Sequence, residues 1–423
     1  MIDSRQVMKL SFLSIAITMS TQNVVHAAEQ SEIEQLRQEV QALRTLVEQQ
    51  QLKQNETSVK LQQVQHQAVV KTPAAKDKNT SLSFYGNIRM DASYQAEGSS
   101  AARLYNNINK VPLRGVNESS DRLKSTLAAT RLGMDVQHQL GADKVSGKLE
   151  VDFLGGANFD NLRIRHAYIN YKNWLVGQTW SNFAVPDYMP ETIDALGYVG
   201  GAVKRTPQVR YQFGFAPTTA LILAAEDPGD ASSQMRMPAV TARLNHQLND
   251  DAKFSLRGMV NEKRTSTDDT VAWGAGLGLQ YKLQPETTLK ADYYHVKGDS
   301  SFVSWTNPGF TANAAGQILD ENEFDSITVG LTQQFNPQWR GTLGFGYMSA
   351  DVSDRYKTGS GFMLTDVNKE LWQGWVNAFY SPVKPVSLGV EYVYGERKAV
   401  AAASNGETKG EDNRVSAVAI YNF

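Results

Sequence analysis

Apolar residues recur at every second position along most of this chain, and residues 415–423 show the pattern most clearly. One face of that segment is entirely apolar: Val415, Ala417, Ala419, Tyr421 and Phe423. A period of two predicts a β-strand. One apolar face that ends in aromatic residues is typical of the lipid-facing wall of a transmembrane β-barrel. A buried edge strand of a soluble β-sandwich would show the same local pattern.

The same alternation repeats from residue 82 to residue 423 as a unit of two strands, a short turn and a longer polar loop. Gly, Pro, Asn and Asp favour turns, and they mark short turns at residues 141–144, 172–173, 214–217, 249–251, 284–286, 336–338 and 383–385. Longer connections span residues 96–125, 181–202, 299–323, 351–368 and 401–412. The pattern predicts an all-β transmembrane barrel of about 16 antiparallel strands, with both ends on the side of the short turns.

The charged face of each predicted strand is expected to line the interior of the barrel. In one strand, for example, Leu149 and Val151 alternate with Glu150 and Asp152. A charge on the lipid-facing wall at the middle of a bilayer costs about 2–4 kcal/mol, so the apolar set must face outward. A barrel of about 16 strands therefore encloses a water-filled channel lined by charged side chains.

The first 27 residues have the features of a secretory signal peptide. Arg5 and Lys9 precede an apolar run over residues 10–19, and small residues follow around Ala27. The apolar run is too short for a membrane anchor. We therefore predict export of the chain and cleavage after Ala27.

Residues 28–70 predict an α-helical coiled coil. Apolar side chains alternate at spacings of three and four from Ile33 to Val47, and the register returns near Leu61 after a polar stretch. Such spacing winds helices into a left-handed coiled coil, in which polar layers weaken the seam but fix its register. A solitary solvated helix is the alternative. The order of β-branched residues and Leu by itself favours two strands, whereas the attached barrel favours three. Residues 71–81 form a linker.

Composition narrows the class of protein. The chain has 423 residues, 41% of them hydrophobic, and its longest apolar run is too short for a membrane-spanning helix. A β-barrel needs no such run, because only alternate residues of its strands face lipid. The formal net charge is -2, so nucleic acid, which requires a basic excess, is not an expected partner. The chain has no cysteine, which excludes thiol chemistry and cysteine-ligated metals and suits an exported protein.

The connection at residues 181–202 carries more aromatic and branched apolar residues than the other long loops, which are mostly polar. We expect it to fold into the barrel and narrow the channel. It would bring an acidic edge formed by Asp187, Glu191 and Asp194. An outer loop in a protein–protein contact is the alternative.

Basic residues in lumen phase are expected to face this acidic edge. The candidates all lie on the first nine predicted strands: Arg89, Arg131, Arg163, Arg165, Lys204, Arg210, Arg243 and Arg257. The guanidinium fork of Arg grips a carboxylate with two parallel hydrogen bonds, so the set favours small carboxylic anions. Arg163 and Arg165 lie two residues apart on one face, about 7 Å, close to the span of a short dicarboxylate. Any of these arginines is alternatively a structural partner of Asp135, Asp152 or Asp292.

Sequence motifs for catalysis, metals and cofactors are absent. There is no nucleophile elbow, phosphate loop or paired-His motif, and the six His are scattered. Gly274, Gly276 and Gly278 imitate a dinucleotide fingerprint, but they alternate on one strand face with no helix after them. We interpret them as positions that leave room inside the lumen for another segment. We expect no enzymatic activity, no metal and no cofactor.

Together these features resemble a known family, the dicarboxylate-selective porins of the DcaP type, within the trimeric general porins. The resemblance covers the whole mature chain and rests on the N-terminal coiled coil, the opening of the first strand at Phe84-Tyr85-Gly86, the strand end from Gly177 to Trp180, and the terminal Phe423. The coiled coil is the specific feature, and the other motifs are generic to porins.

The resemblance implies a homotrimer in the outer membrane of a Gram-negative bacterium, in contact with lipid and lipopolysaccharide. Each barrel would pass small dicarboxylic acids and some anionic antibiotics by passive diffusion. The coiled coil would lie in the periplasm, where we expect contact with the cell wall or a periplasmic partner. Related phosphate-selective porins line their pore with Lys, so the Arg-rich lumen makes phosphate or another anion the second choice.

Two other classes of protein combine comparable elements. A trimeric adhesin, a structural surface protein, also joins a coiled coil to a barrel, but it builds the barrel from three short chains. This chain has enough predicted strands to close a barrel alone. A barrel enzyme such as an outer-membrane lipase or protease requires a Ser/His/Asp set at one rim, and the sequence does not supply one.

Overall fold

The computed structural model describes residues 41, 79–98 and 104–423. The predicted signal peptide and nearly all of the predicted coiled coil and linker lie outside these residues. The first strand begins at Thr80, two residues before the predicted start of the barrel. Within the described ranges, no helix is long and apolar enough to cross a membrane.

The described chain is almost entirely β-structure. Its strands are β1 (Thr80–Glu97), β2 (Arg122–Thr126), β3 (Arg131–Leu140), β4 (Asp143–Gly155), β5 (Asn161–Tyr171), β6 (Trp174–Trp180), β7 (Arg205–Ala216), β8 (Thr219–Glu226), β9 (Ala239–Gln247), β10 (Ala252–Arg264), β11 (Asp269–Gln284), β12 (Thr287–Lys297), β13 (Phe310–Ala312), β14 (Ile318–Glu321), β15 (Glu323–Gln334), β16 (Trp339–Asp351), β17 (Asn368–Tyr380), β18 (Val386–Ala399) and β19 (Lys409–Asn422). Two short 3₁₀ helices span Ile108–Lys110 and Tyr356–Thr358.

One antiparallel sheet of 17 strands closes on itself to form the barrel. The first strand, β1, pairs with the last, β19, in a register that starts with Asn87 opposite Asn422. On its other edge, β1 pairs with β3 through its first half and with β2 through its second half. Because β2 and β3 share one position in the wall, the 17 strands fill 16 positions. The predicted closed barrel of about 16 strands is confirmed.

The wall follows the predicted alternation between outward and inward side chains. On β4, Leu149 is 44% exposed on the outer face, whereas Glu150 and Asp152 are buried inside. On β19, Val415 is exposed and Arg414 is fully buried. An apolar outer surface of this kind suits hydrocarbon, and the polar side chains have their partners in the interior.

Short turns and long loops alternate around the barrel. Seven connections of two to five residues join neighbouring strands at one end, and each overlaps a turn predicted from the sequence, although the predicted turn at residues 214–217 shares only Pro217 with the observed one. Most connections at the other end are longer, including residues 181–204 and 298–309, although residues 156–160 and 265–268 form short ones. The connection at residues 227–238 was not among the predicted loops. Both β1 and β19 have their terminal ends on the side of the short turns, which is the periplasmic side of outer-membrane barrels.

Candidate solute pathway

The connection between β6 and β7, residues 181–204, lies against the inner face of the barrel and is called the inner loop below. Its Phe183 and Tyr188 are almost fully buried. A Cβ atom added at Gly274 of β11 would lie 2.9 Å from Phe183, and one added at Gly278 would lie 2.2 Å from Tyr188. These two glycines therefore provide the space through which the inner loop packs on the wall.

A buried carboxylate, Glu391, helps to hold the inner loop on another part of the wall. Glu391 of β18 accepts hydrogen bonds from the Thr192 hydroxyl at 2.8 Å, the Ile193 amide at 3.1 Å and the Tyr198 hydroxyl at 2.7 Å. Glu391 is itself almost fully buried. The inner loop is consequently fixed at both walls rather than hanging free in the channel.

Each carboxylate of the expected acidic edge faces an arginine. Glu191 pairs with Arg340 of β16 at 2.9 Å, and Asp194 lies 3.4 Å from Arg414 of β19. Both arginines belong to strands beyond the nine that the sequence pattern singled out. The third carboxylate, Asp187, is half exposed and lies 3.6 Å from Arg243. The acidic edge is therefore largely neutralised by arginines of the wall.

Asp194 is the most enclosed of the three loop carboxylates. It accepts hydrogen bonds from the backbone amides of Asn106 at 2.7 Å and Leu196 at 2.9 Å. Burial nevertheless raises the pKa of Asp194 to about 6. Mild acid should therefore neutralise Asp194 and weaken its ion pair with Arg414.

Arg163 and Arg165 both face the interior, but carboxylates occupy their guanidinium groups. Arg163 pairs with Asp152 at 2.7 Å. Arg165 pairs with Glu150 at 2.6 Å and with the same Asp152 at 3.0 Å. The structural alternative considered for Asp152 thus applies to both arginines, and the two form a compact ion-pair network in the wall.

The other predicted basic residues fall into two groups. Three have carboxylate partners: Arg89 pairs with Asp91 at 2.6 Å, Arg243 faces Asp187, and Arg257 forms a fully buried pair with Asp292. The other three, Arg131, Lys204 and Arg210, form no ion pair with any residue that the structure describes. Asp135, the third suggested partner, pairs with Lys148 instead, at 2.9 Å.

Two further residues, Trp180 and Arg205, face the interior although the alternation along β6 and β7 does not predict it. They pair across β6 and β7 at the point where both strands leave the wall for the inner loop. Nearby, the register of β5 shifts by one residue at Arg165, so that Arg165 and His166 are both buried. Gly177 of β6 has a φ of 129°, a conformation that favours glycine. A glycine inside an alternating strand is the sequence signal that marks such an irregularity.

A cavity of about 630 Å³ lies between this part of the wall and the inner loop. Its basic lining residues are Arg131, Arg163, Arg165, Lys204 and Arg205. Its carboxylates, Glu191 and Asp194, are both paired with arginines of the opposite wall. Like Arg131 and Lys204, Arg205 has no ion-pair partner in the described part of the chain, and the Nε atom of Arg131 is buried without a hydrogen-bond partner. The cavity therefore carries unbalanced positive charge.

Residues 300–306, in the connection between β12 and β13, form another side of the cavity. Phe302 of this segment packs edge-on against Phe183 of the inner loop, with ring centroids 5.8 Å apart. The cavity thus combines a basic wall with apolar surfaces, an arrangement that suits small organic anions. Among the described residues, no cluster of three or more His, Cys, Asp or Glu could hold a metal ion.

The chain matches the family profile described as DcaP outer membrane protein over residues 14–423. Its structure is similar to that of the outer membrane channel DcaP of Acinetobacter baumannii, with a TM-score of 0.74. The two sequences are 35% identical, and the match covers 82% of this chain and 99% of that chain. No curated protein matches this chain.

More distant structures share the fold alone. The anion-selective porin from Comamonas acidovorans has a TM-score of 0.53 and 11% identity over 81% of this chain and 100% of that chain. The trimer form of OmpT from Vibrio cholerae has a TM-score of 0.51 and 14% identity over 82% of this chain and 100% of that chain. The family profile covers nearly the whole sequence and the barrel is closed by one chain, so this protein belongs to the DcaP outer membrane protein family, a family of outer-membrane channels.

Proposed function

We propose that this protein is a passive diffusion channel for small anionic solutes, with dicarboxylates preferred. One observation carries the proposal. Arg131, Lys204 and Arg205 line the cavity without an ion-pair partner among the described residues, whereas both carboxylates of the cavity are paired. Unpaired cations that line a water-filled passage raise the local concentration of anions and select against cations.

Arginine makes carboxylates the favoured anions. Arg131 and Arg205 each present a planar fork that matches a carboxylate group, whereas an ammonium group presents a point charge. A charge-assisted hydrogen bond contributes roughly 1.5–3 kcal/mol. A diacid can therefore be held at both ends and a monoacid at one. Because a channel must also release its solute, binding at each end has to remain weak.

The remaining predicted arginines contribute to the proposed pathway in a different way. Arg89, Arg163, Arg165 and Arg243 line it as ion pairs, which have little net charge. Arg257 is fully buried with Asp292 and donates a hydrogen bond to the Phe183 carbonyl of the inner loop, so it supports the inner loop rather than contacting the solute. Arg210 adds an unpaired charge on β7, on the same face as the buried Gln208. The solute thus passes along a wall in which a few unpaired basic side chains lie between ion pairs that have little net charge.

Phosphate is the second candidate solute, because Arg also binds phosphate with two parallel hydrogen bonds. Two of the three unpaired cations in the cavity are Arg and one is Lys, whereas related phosphate-selective porins line their pore with Lys, so carboxylates remain the first choice. Anionic antibiotics are larger members of the same chemical class. An adhesin-like structural role has less support, since one chain closes its own barrel.

We also propose that the protein is a homotrimer that packs through the outer face of β1, β2 and β5. Among the described strands, β2 pairs with β1 alone. Large apolar side chains around this edge are exposed: Leu123 (71%), Leu127 (59%), Leu162 (64%) and Ile164 (50%). An unpaired strand edge beside an apolar patch favours contact with another chain.

The N-terminal segment completes the proposal. Residues 1–27 direct export and are removed, and residues 28–70 form a coiled coil in the periplasm that contacts the cell wall or a periplasmic partner. The position of β1 supports this placement, because its first residue lies at the end of the barrel with the short turns. Lipid and lipopolysaccharide of the outer membrane cover the apolar wall.

Swelling of liposomes that contain the reconstituted protein tests the proposed selectivity. The wild type should admit succinate faster than arabinose, an uncharged sugar of similar size. The double variant R131Q/R205Q should lose most of this preference, because both free guanidinium groups are gone. R236Q is the control for loss of a positive charge outside the cavity: it removes one guanidinium group, which lies at the surface in a pair with Glu262. Equal rates for succinate and arabinose in the wild type would contradict the proposal.

A further inference from the structure

An aromatic ring, rather than a carboxylate, orients Arg205. The guanidinium carbon of Arg205 lies 4.5 Å from the centroid of the Trp180 ring. The face of an indole ring attracts a cation through its quadrupole, and indole is the strongest such partner among the aromatic side chains. The contact holds the guanidinium group in place without cancelling its charge, so its N–H donors remain available.

The same cavity wall offers a direct contrast. Arg163 and Arg165 are oriented by Asp152 and Glu150, which accept their N–H donors and balance their charge. A guanidinium group in such a pair has little attraction left for a passing anion. The wall therefore contains two kinds of arginine. Those oriented by a carboxylate have their charge balanced, whereas Arg205, which is oriented by an aromatic ring, keeps its charge unbalanced.

The ring of Trp180 is itself held in place. It packs edge-on against His166, with ring centroids 5.5 Å apart and planes at 74°. The Nδ1 atom of His166 lies 3.0 Å from the Thr179 hydroxyl, within hydrogen-bond distance. Arg165 approaches the same indole ring at 6.0 Å. Trp180 is thus wedged between fixed neighbours and cannot turn away from Arg205 without moving them.

We propose that Trp180 is a positioning residue for anion selectivity, which presents the Arg205 guanidinium group to the solute with its charge unbalanced. This inference rests on the proposed function, because it requires that Arg205 contacts an anionic solute. A carboxylate at position 180 would supply a similar orientation but would cancel the charge. An aliphatic residue would leave the charge but release the side chain to other conformations.

Inhibition of chloride current by succinate in planar bilayers measures the effect on solute binding. W180L should weaken the apparent affinity for succinate about three- to tenfold, the range expected for a partly desolvated cation–π contact. W180F keeps an aromatic face and should stay within about twofold of the wild type. W174L is the matched control, because Trp174 packs on Tyr211 at the outer face of the barrel and should leave the affinity unchanged.

A double-mutant cycle separates positioning from general damage. In an R205Q background, W180L should cause no further loss, since the residue that Trp180 positions is already gone. A further loss of the same size would show that Trp180 only supports the fold, and would overturn the inference. If W180L does not assemble, W180M replaces the ring with a flexible apolar side chain, and the same weakening is expected.

The outcomes also distinguish this inference from the proposed function. A wild type that does not respond to succinate overturns the proposed function, and the inference with it. A wild type that binds succinate, together with W180L of unchanged affinity, overturns the inference alone.

Discussion

Replacing Arg163 and Arg165 with Gln distinguishes the arginines that shape the wall from those that contact the solute. Both pair with Asp152, and Arg165 also pairs with Glu150. The double variant R163Q/R165Q therefore leaves two carboxylates in the wall of the cavity without their cations. Its effect on a passing anion comes from the uncovered negative charge, rather than from lost contacts with the solute.

Coulomb's law gives the size of this effect. At about 7 Å, one uncompensated carboxylate repels a monovalent anion by roughly 0.6 kcal/mol in water and by about 2.4 kcal/mol at an effective dielectric constant of about 20. Two carboxylates double that figure, and a factor of ten in selectivity corresponds to about 1.4 kcal/mol. We therefore expect R163Q/R165Q to lose about eightfold or more in anion preference, with a divalent anion affected more than chloride.

The zero-current potential in a salt gradient measures the preference, and a compensated variant supplies the control. R163Q/R165Q/E150Q/D152N removes both the arginines and their carboxylates, so the net charge of the wall returns to that of the wild type. The zero-current potential should return with it. If this quadruple variant loses as much anion preference as the double variant, the reasoning is refuted, because Arg163 and Arg165 would then contact the solute directly.

Three further predictions follow from other parts of the molecule. Because burial raises the pKa of Asp194 to about 6, acidification from about pH 7.5 to about pH 5 should neutralise it and increase anion preference in the wild type but not in D194N. A potential that does not change with pH would contradict this. In G278A the added Cβ atom would lie 2.2 Å from the Tyr188 ring, so the inner loop should be displaced. The free energy of unfolding should fall by about 1–3 kcal/mol, and the single-channel conductance should rise. G258A on the outer face, where the added atom meets nothing within 4 Å, should behave as the wild type. Deletion of residues 29–70 should leave a trimer on native gels, since the barrel walls bury far more surface than the predicted coiled coil.

Much of the barrel could be predicted from the sequence, because lipid imposes a strict rule on side-chain direction. The rule placed Glu150, Asp152 and Arg163 in the interior, and it marked the short turns between strands. Arg340 and Arg414 obey the same alternation, so the sequence already contains the signal that identifies them as interior cations. The alternation predicts whether a side chain faces the interior or the lipid, but it does not predict which interior cation pairs with which carboxylate.

The sequence suggested Asp152 and Asp292 as partners of interior arginines, and both form such pairs. It could not assign which arginine pairs with which carboxylate, because that depends on the register between neighbouring strands. The register of β4 and β5 includes an extra residue at Arg165, and this shift brings Arg165 within reach of Glu150 and Asp152. Trp180 and Arg205 were missed for a related reason. They lie at strand ends, where the chain turns into the inner loop and the period of two no longer applies.

The most direct test of the account is the zero-current potential of the wild-type protein across a planar bilayer in a KCl gradient. The unpaired Arg131, Lys204 and Arg205 predict a potential whose sign is set by chloride, since cations are repelled from the cavity. Replacing chloride with succinate should keep that sign. A potential set by potassium would contradict the claim that unpaired cations in the cavity select the solute.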